Sequence, residues 1–221
     1  MSLEPMIEAA PADLTPAPLE ATAVTAAPLT PGPRLSLLRR AWRVLRGEFS
    51  GLQPRIWLLD VAVALLPYHS FPRLRALLYR MMGIRIGPGT LIMGRLQLGG
   101  HGAIATRLRI GAHCVLNAPL FLDLNGTITI GDHVHVGHHT VLVTADHQIG
   151  SPWRRGGEVT PRPIAIGDGC LIGAGVTVLP GVVISQHSIV SPASLVAASV
   201  PASKLVGGVP ARTIKSLPEE V

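Results

Sequence analysis

Residues 164–184 read IAIGDGCLIGAGVTVLPGVVI, a stretch in which an aliphatic residue returns at every sixth position. The same spacing continues on both sides, with one shift of two residues and one gap. The aliphatic series is Ile86, Ile92, Leu98, Ile104, Ile110, Leu116, Leu122 and Ile128, then Ile130, Val136 and Leu142, then Ile166, Ile172, Val178, Ile184, Val190 and Val196. A short fixed period over half a chain indicates a repeat architecture, and six residues is typical of a parallel β-helix.

The residues two positions before these aliphatics support the same fold. Because side chains alternate between the two faces of a strand, both positions should point into the core. The earlier positions are mostly small or β-branched: Leu96, Leu108, Cys114, Leu120, Ile128, Val134, Thr140, Ile164, Cys170, Val176, Val182, Ser188 and Ser194. Glycines such as Gly111, Gly131 and Gly167 follow the larger aliphatic, where the chain has to turn. We therefore predict that Cys114 and Cys170 are buried, inert thiols.

The composition agrees with this fold and excludes other classes. The 221 residues are 48% hydrophobic but only 4% aromatic, and they include 24 glycines and 20 prolines, which argues against a helical bundle. Two cysteines without a CxxC pair favour a reducing, cytoplasmic compartment. The net charge is +6, but there is neither a basic groove interleaved with aromatics nor zinc-finger spacing, so we expect no nucleic-acid partner.

The sequence divides into four segments. Residues 1–33, rich in Ala, Pro and Thr, predict a disordered tail without the pattern of a signal peptide. Residues 34–85 predict a helical N-terminal cap, residues 86–200 the β-helix domain, and residues 201–221 a C-terminal extension. The expected fold class is all-β, a parallel β-helix with a helical cap.

The predicted cap combines an apolar stripe with arginines. Leu35, Leu38, Trp42, Leu45 and Phe49 recur at helical spacing, with four arginines largely between them. Further helices are expected over residues 56–66 and 73–82, and the first of these apolar runs is too short to span a bilayer. Packing on the main domain or on a neighbouring subunit is the preferred interpretation. The alternative is peripheral contact of residues 34–82 with the inner face of an anionic membrane.

A gap in the aliphatic series marks a long loop. Leu142 and Ile166 lie 24 residues apart, a whole number of periods, and the intervening positions Gln148, Arg154 and Thr160 are not aliphatic. Residues 144–162 should therefore leave the β-helix and return in phase. Long ordered loops on rigid scaffolds often carry function.

Several segments resemble the hexapeptide-repeat acyltransferases. They are Ile130-Gly131-Asp132, Ile166-Gly167-Asp168-Gly169, Ile172-Gly173-Ala174-Gly175 and Leu179-Pro180-Gly181-Val182. Over residues 86–215 the resemblance is closest to the maltose, galactoside and nodulation-type sugar O-acetyltransferases. It implies a left-handed β-helix that forms a homotrimer, with an active site in each groove between subunits. It also implies acyl transfer from acetyl-CoA, or another acyl-CoA, to a hydroxyl of a sugar or polysaccharide-type acceptor.

The resemblance assigns a general base and acceptor ligands. In the family a histidine that opens the loop accepts the proton of the acceptor hydroxyl, and His147 matches it. An alcohol is a poor nucleophile at neutral pH, so an imidazole that removes its proton assists attack on the thioester. Asn117 matches a substrate-binding asparagine, and Asp123 and Asn125 are candidate acceptor ligands in the next turn. The alternative is that Asp123 and Asn125 only close this tight turn.

Binding of acyl-CoA in this family uses backbone groups of late coils and basic residues near the C-terminus. The resemblance assigns Gly173, Ala174 and Pro192 to the first set, and Arg212 and Lys215 to the phosphates. Three segments depart from the family: Leu171 replaces a tryptophan, Ser191-Pro192-Ala193 replaces Gly-Ala-Gly, and Ala197-Ala198 replaces Thr-Lys. These departures alter the expected contacts with CoA.

Clustered histidines raise a zinc alternative, because γ-class carbonic anhydrases share the β-helix. The histidines are His133, His135, His138 and His139. They fall at different phases of the repeat without a third ligand two coils earlier, whereas a catalytic zinc needs three protein ligands. We therefore expect no metal. A further alternative is a non-catalytic β-helix trimer that acts as a scaffold or binding protein.

Overall fold

A computed structural model describes Trp42 and residues 54–218 of the chain. Trp42 is helical, and within residues 54–218 two α-helices precede a column of stacked coils. Helix α1 is Pro54–Ala64 and helix α2 is Pro72–Met82, close to the helices expected there. In the described ranges no helix is both long and apolar enough to cross a membrane. The tail 1–33 and, apart from Trp42, the first predicted helix lie outside the described residues.

Each coil contributes one strand to each of three parallel sheets. Sheet A contains β1 (Arg85–Ile86), β4 (Leu108–Ile110), β7 (Ile128–Ile130), β12 (Ile164–Ile166) and β15 (Val183–Ile184). Sheet B contains β2 (Leu91–Ile92), β5 (Val115–Leu116), β8 (His135–Val136), β13 (Leu171–Ile172) and β16 (Ile189–Val190). Sheet C contains β3 (Leu96–Gly99), β6 (Leu120–Asp123), β9 (Val141–Leu142), β14 (Thr177–Val178) and β17 (Leu195–Val196). Neighbouring strands pair in parallel, so five coils stack into a β-helix.

The C-terminal segment closes the far end of the column. Strand β18 (Lys204–Gly208) pairs in parallel with β16 and therefore extends sheet B. Strand β19 (Ala211–Ser216) turns back and pairs antiparallel with β18. This hairpin lies at the opposite edge of sheet B from β2.

The core is the column of side chains predicted from the period of six. From Ile110 to Val196 every residue of the larger aliphatic series is buried, and so are all the compact positions. Three compact positions are polar, and each hydroxyl donates a hydrogen bond to a carbonyl oxygen at 2.7 or 2.8 Å. They are Thr140, Ser188 and Ser194. The predicted phase of the repeat is therefore confirmed.

Both cysteines lie inside the column as predicted. Cys114 and Cys170 are free and buried, and each thiol points at a carbonyl oxygen, 3.0 Å away at Gly131 and 3.1 Å away at Ser185. Burial raises the pKa of both thiols. A protonated thiol is a poor nucleophile, so this environment supports an inert structural role.

The expectation that Ile104 occupies a strand is wrong. Ile104 is half-buried and begins a 3₁₀ turn, Ile104–Arg107, in an insertion between β3 and β4. Ile86 and Ile110 lie 24 residues apart, whereas Ile166 and Ile184, in successive coils without an insertion, lie 18 apart. Because the insertion is one full period long, it leaves the aliphatic phase unchanged.

Helix α2 packs against the first coil, and specific polar contacts hold both helices there. The Tyr79 hydroxyl is buried and accepts a hydrogen bond of 2.8 Å from the N–H of Leu96. Asp60 of α1 forms an ion pair with Arg95, which follows β2. The buried guanidinium of Arg75 donates to carbonyl oxygens in the turn between the helices. The helices therefore pack on the β-helix through one face, as the sequence favoured.

Candidate functional site

The loop over residues 144–162 leaves the β-helix at the corner between sheets C and A and contains an antiparallel hairpin. Its strands are β10 (His147–Ile149) and β11 (Gly156–Val159). The chain then re-enters the column at β12, where Ile164 pairs with Ile128. The predicted departure and in-phase return are both observed. Ile149 and Trp153 of the loop are exposed to solvent.

Asp123, the last residue of β6, fastens the start of this loop. One carboxylate oxygen accepts the N–H groups of Thr144 and Ala145 at 3.0 and 2.6 Å. The other accepts the backbone and side-chain N–H groups of Asn125 at 3.1 and 2.6 Å. Burial alone would raise the pKa of this carboxyl, but the N–H groups outweigh burial and hold the pKa below its ordinary value. Asp123 and Asn125 therefore form a turn bonded directly to the loop.

His147 lies at the start of β10 and is exposed. Its Nδ1 is 3.2 Å from the carbonyl oxygen of Gly157 on β11. A carbonyl oxygen can only accept, so this bond requires the proton on Nδ1 and leaves the lone pair on Nε2. Nε2 is then the ring atom that can take up a proton. An ion pair of 2.8 Å between Arg162 and Asp146 joins the two ends of the loop beside His147.

Asn117 lies at a different corner, between sheets B and C. Its side-chain amide donates to the carbonyl oxygen of Val136 at 3.2 Å and lies 3.4 Å from Nε2 of His135. Gly137 and Gly173 occupy the same corner in the next two coils, linked by equivalent backbone hydrogen bonds. The predicted acceptor residue and the first predicted CoA residue therefore share one edge of the β-helix.

The other candidate CoA residues continue along this edge. A methyl group added to Gly173 would lie 2.5 Å from the backbone nitrogen of Pro192, so only glycine permits this close stacking of coils. The carbonyl oxygen of Ala174 accepts a hydrogen bond of 2.8 Å from the N–H of Ala193. Arg212 pairs with Gly207 near the end of β18 that leads to this corner, and it lines a small cavity of about 170 Å³ at the capped end of the column. Lys215 pairs with Leu205 and lies further along β19, away from this corner.

The candidate residues thus form two groups on one chain. His147, Asp123 and Asn125 lie at the corner between sheets C and A, whereas Asn117 and Gly173 lie at the corner between sheets B and C. Sheet C separates the two groups.

The four clustered histidines do not form one site. His133 stacks on His113 with ring centroids 5.1 Å apart, at the corner between sheets A and B. His138 meets His139 edge to face at the corner between sheets B and C, and His135 lies on the outer face of sheet B. Among Trp42 and residues 54–218, no three His, Cys, Asp or Glu side chains are arranged to hold a metal ion.

Sequence reasoning missed two groups in the loop. The Gly157 carbonyl faces His147 only because of the register of β10 and β11, and nothing in the repeat period indicates that hairpin. Thr144 was recognised only as the start of the loop, yet its buried hydroxyl donates to the Asp123 carbonyl at 2.6 Å. Both contacts join residues that are far apart in the sequence, 10 and 21 positions, so local sequence patterns do not reveal them.

Comparisons with known proteins decide the family. No model of a known family matches the chain. The putative colanic acid biosynthesis acetyltransferase WcaF of Escherichia coli (strain K12) is 30% identical over 143 residues, 65% of this chain and 75% of that protein. A hexapeptide-repeat acetyltransferase of Vibrio cholerae, solved with acetyl coenzyme A, is similar with a TM-score of 0.66 and 29% identity, covering 78% of this chain and 90% of that one. The chain belongs to the hexapeptide-repeat acyltransferase superfamily.

A second curated relative matches a shorter stretch. Galactoside O-acetyltransferase of Escherichia coli (strain K12) is 31% identical over 112 residues, 51% of this chain and 55% of that protein. The chain therefore spans little more than half the length of that curated relative. The predicted superfamily and its left-handed parallel β-helix are confirmed, and the individual site residues stay predictions.

Proposed function

We propose that this hexapeptide-repeat protein is an O-acyltransferase that moves an acyl group, in the first instance acetyl, from acyl-CoA to a hydroxyl of a sugar or polysaccharide-type acceptor. The observation that carries the proposal is the exposed imidazole of His147, whose Nδ1 contact with Gly157 leaves Nε2 available for a proton. The similar Vibrio structure with acetyl coenzyme A supports the donor. Relatives named for galactoside and colanic acid support the acceptor class.

In the proposed reaction His147 acts as general base. Its Nε2 accepts the proton of the acceptor hydroxyl while the hydroxyl oxygen attacks the carbonyl carbon of the thioester. The carbon–sulfur bond then breaks, and the imidazolium returns the proton to the leaving sulfur. The products are the acyl ester and free CoA. The Gly157 carbonyl keeps the ring oriented and stabilises the imidazolium through Nδ1, and base catalysis of this kind contributes about 10²–10⁴-fold to the rate.

The acceptor ligands in this proposal are Asn117 and Asn125, whose amides can both donate to and accept from hydroxyl groups. Asp123 has a positioning role, because its carboxylate already accepts four hydrogen bonds and two of them fasten the His147 loop. Direct binding of the acceptor by Asp123 stays a prediction.

The proposed donor site follows the corner between sheets B and C. Backbone groups of Gly173, Ala174 and Pro192 would bind the pantetheine arm, which is narrow enough to lie against closely stacked coils. Arg212 is the cation best placed for a CoA phosphate, because it lies near the end of this corner. Lys215, three residues further along β19, would reach only a more distant phosphate.

The proposed enzyme is a homotrimer. The separation of His147 from Asn117 across sheet C supports a site shared between two subunits. Apolar side chains also remain exposed where a neighbour would lie, including Phe121 on sheet C and Trp153 on the loop. A cytoplasmic location belongs to the proposal too, and the two free buried cysteines support a reducing compartment.

A panel of sugars and oligosaccharides, each incubated with acetyl-CoA and the full chain, tests the proposed reaction. CoA release depends on the acceptor if the proposal is right, and mass spectrometry then finds one acetyl group added per CoA released. Release that is the same without acceptor, or no acetylated product from any hydroxyl compound, contradicts it. Light scattering on the same sample reports whether the mass is that of three chains.

A further inference from the structure

We propose that the helical end of this molecule binds the surface of an anionic membrane. Between Ile56 and Ala64, helix α1 carries one charged side chain, Asp60, and its other residues are apolar. Val63 faces inward and is buried, whereas Trp57 and Leu58 on the other side are about 60% exposed. An isolated surface helix carries polar residues on its outer face, and a helix that is apolar all round normally has an apolar partner on each side.

Helix α2 also has exposed apolar side chains on its outer face. One face packs against β1 and β2, while Leu74, Leu77 and Met81, three and four residues apart, are exposed on the other. Leu74 and Phe71 also line an open cavity of about 490 Å³ at the start of this helix. Single exposed apolar residues are common, but adjacent apolar stripes on two helices mark an interaction surface.

The charge of this end identifies the kind of partner. Residues 54–110 contain eight arginines and one acidic residue, Asp60, whereas residues 111–218 contain six basic and five acidic residues. Arg75 is buried and Arg95 is paired with Asp60, but the net charge of this end stays positive without them. Arg85 and Arg109 are exposed neighbours in register on sheet A, and like charges in that position destabilise a sheet unless an anion lies nearby. A partner that is both apolar and anionic fits a membrane containing anionic lipids.

The size of the helices indicates the depth of binding. Helix α1 has 11 residues and is about 16 Å long, roughly half the hydrocarbon thickness of a bilayer. The helical pair therefore lies in the interfacial layer, where Trp57 is well suited to the boundary between lipid and water. Such binding would hold the proposed acyl-transfer site beside acceptors carried on lipids. The binding itself does not depend on that reaction.

Co-sedimentation of the full chain with lipid vesicles tests this proposal. The vesicles contain phosphatidylcholine alone or mixed with phosphatidylglycerol, each at low and at high salt. A double variant, Leu58→Glu with Leu77→Glu, changes two exposed side chains of the apolar surface. Ile214→Glu is the matched control, because Ile214 is 60% exposed on the hairpin at the opposite end of the β-helix. Circular dichroism melts confirm that each variant is folded, and light scattering reports its mass.

We expect the wild type and Ile214→Glu to bind the anionic vesicles at low salt and to be released at high salt. The double variant should bind at least about tenfold more weakly, because two apolar side chains no longer enter the lipid. Replacing Arg85 and Arg109 with Gln should weaken binding about fivefold per arginine. Absence of wild-type binding to anionic vesicles overturns the proposal. Equal binding by the double variant also overturns the proposal, since the apolar surface would then make no contact with the membrane. A change in the oligomeric mass of the double variant overturns it too, since the apolar surface would then contact another copy of the chain.

Discussion

Replacing Asp123 with alanine tests whether this carboxylate holds the loop that carries His147. The change removes the acceptor for the N–H groups of Thr144 and Ala145. Thr144 is completely buried, so its N–H cannot reach water unless the loop opens. A buried N–H without an acceptor costs about 1–3 kcal/mol, and the two groups together predict a loss of about 2–6 kcal/mol in the stability of the loop.

Asp123→Asn provides a graded comparison. Its remaining oxygen can still accept from Thr144 and Ala145, and the side-chain amide of Asn125 can turn over to face the new NH₂ group. Only the backbone N–H of Asn125 then loses its acceptor, which costs about 1–2 kcal/mol. Asp132→Ala is the matched control. It removes an exposed carboxylate that accepts one hydrogen bond in the structure, from the N–H of Ala112.

Amide hydrogen exchange at Thr144 and Ala145, together with kcat and KM for acyl-CoA, reports the outcome. Exchange should accelerate and kcat should fall most for Asp123→Ala, less for Asp123→Asn and least for the control. KM for acyl-CoA should stay constant, because the proposed donor site lies at another corner. Since hydrogen bonds hold the pKa of Asp123 below its ordinary value, the loop is anchored at neutral pH and is released as the pH falls through that lowered pKa. Equal losses of kcat in both Asp123 variants with unchanged exchange would refute the anchoring role and favour direct contact with the acceptor.

Three further predictions concern the core. Ile172→Ala should lower the free energy of unfolding by about 2–5 kcal/mol in chemical denaturation, because Ile172 is fully buried; a loss below about 0.5 kcal/mol would contradict its place in the column. Tyr79→Phe should cost about 1–3 kcal/mol, because the N–H of Leu96 loses its acceptor. Burial raises the pKa of Tyr79, so the wild type should lose stability as the pH rises above the ordinary tyrosine value of 10.0, and the variant should lose less. Cys114 and Cys170 should react with a thiol reagent only after unfolding, and rapid reaction in the native protein would disprove their burial.

The period of six residues predicted the fold because the sequence repeats it in every coil. Each coil repeats the same alternation of inward and outward residues, so one irregular position does not hide the pattern. The misplacement of Ile104 shows the limit of this reasoning. An insertion of one full period keeps the aliphatic phase, and the chain between β3 and β4 happens to carry an aliphatic residue at the expected position.

The candidate site was less accessible to sequence reasoning. Resemblance to relatives selected His147, but the contact that orients its ring comes from Gly157, ten residues away across a hairpin. Two of the four bonds of Asp123 likewise join β6 to a loop that begins 21 residues further along the chain. The separation of Asn117 from His147 depends on which corner of the column each residue occupies, and that assignment needs the stacking of the coils.

Acceptor-dependent turnover of His147→Ala tests most directly whether His147 is the general base. The control is His101→Ala, which removes an exposed histidine from the insertion after the first coil. The full chain, the variant and the control are compared for kcat with the best acceptor, for binding of acyl-CoA and for oligomeric mass. If Nε2 of His147 is the general base, His147→Ala lowers kcat by about 10²–10⁴-fold while acyl-CoA binding and mass stay unchanged, and the control keeps wild-type turnover. Near-wild-type turnover in His147→Ala would contradict the role of His147 as general base.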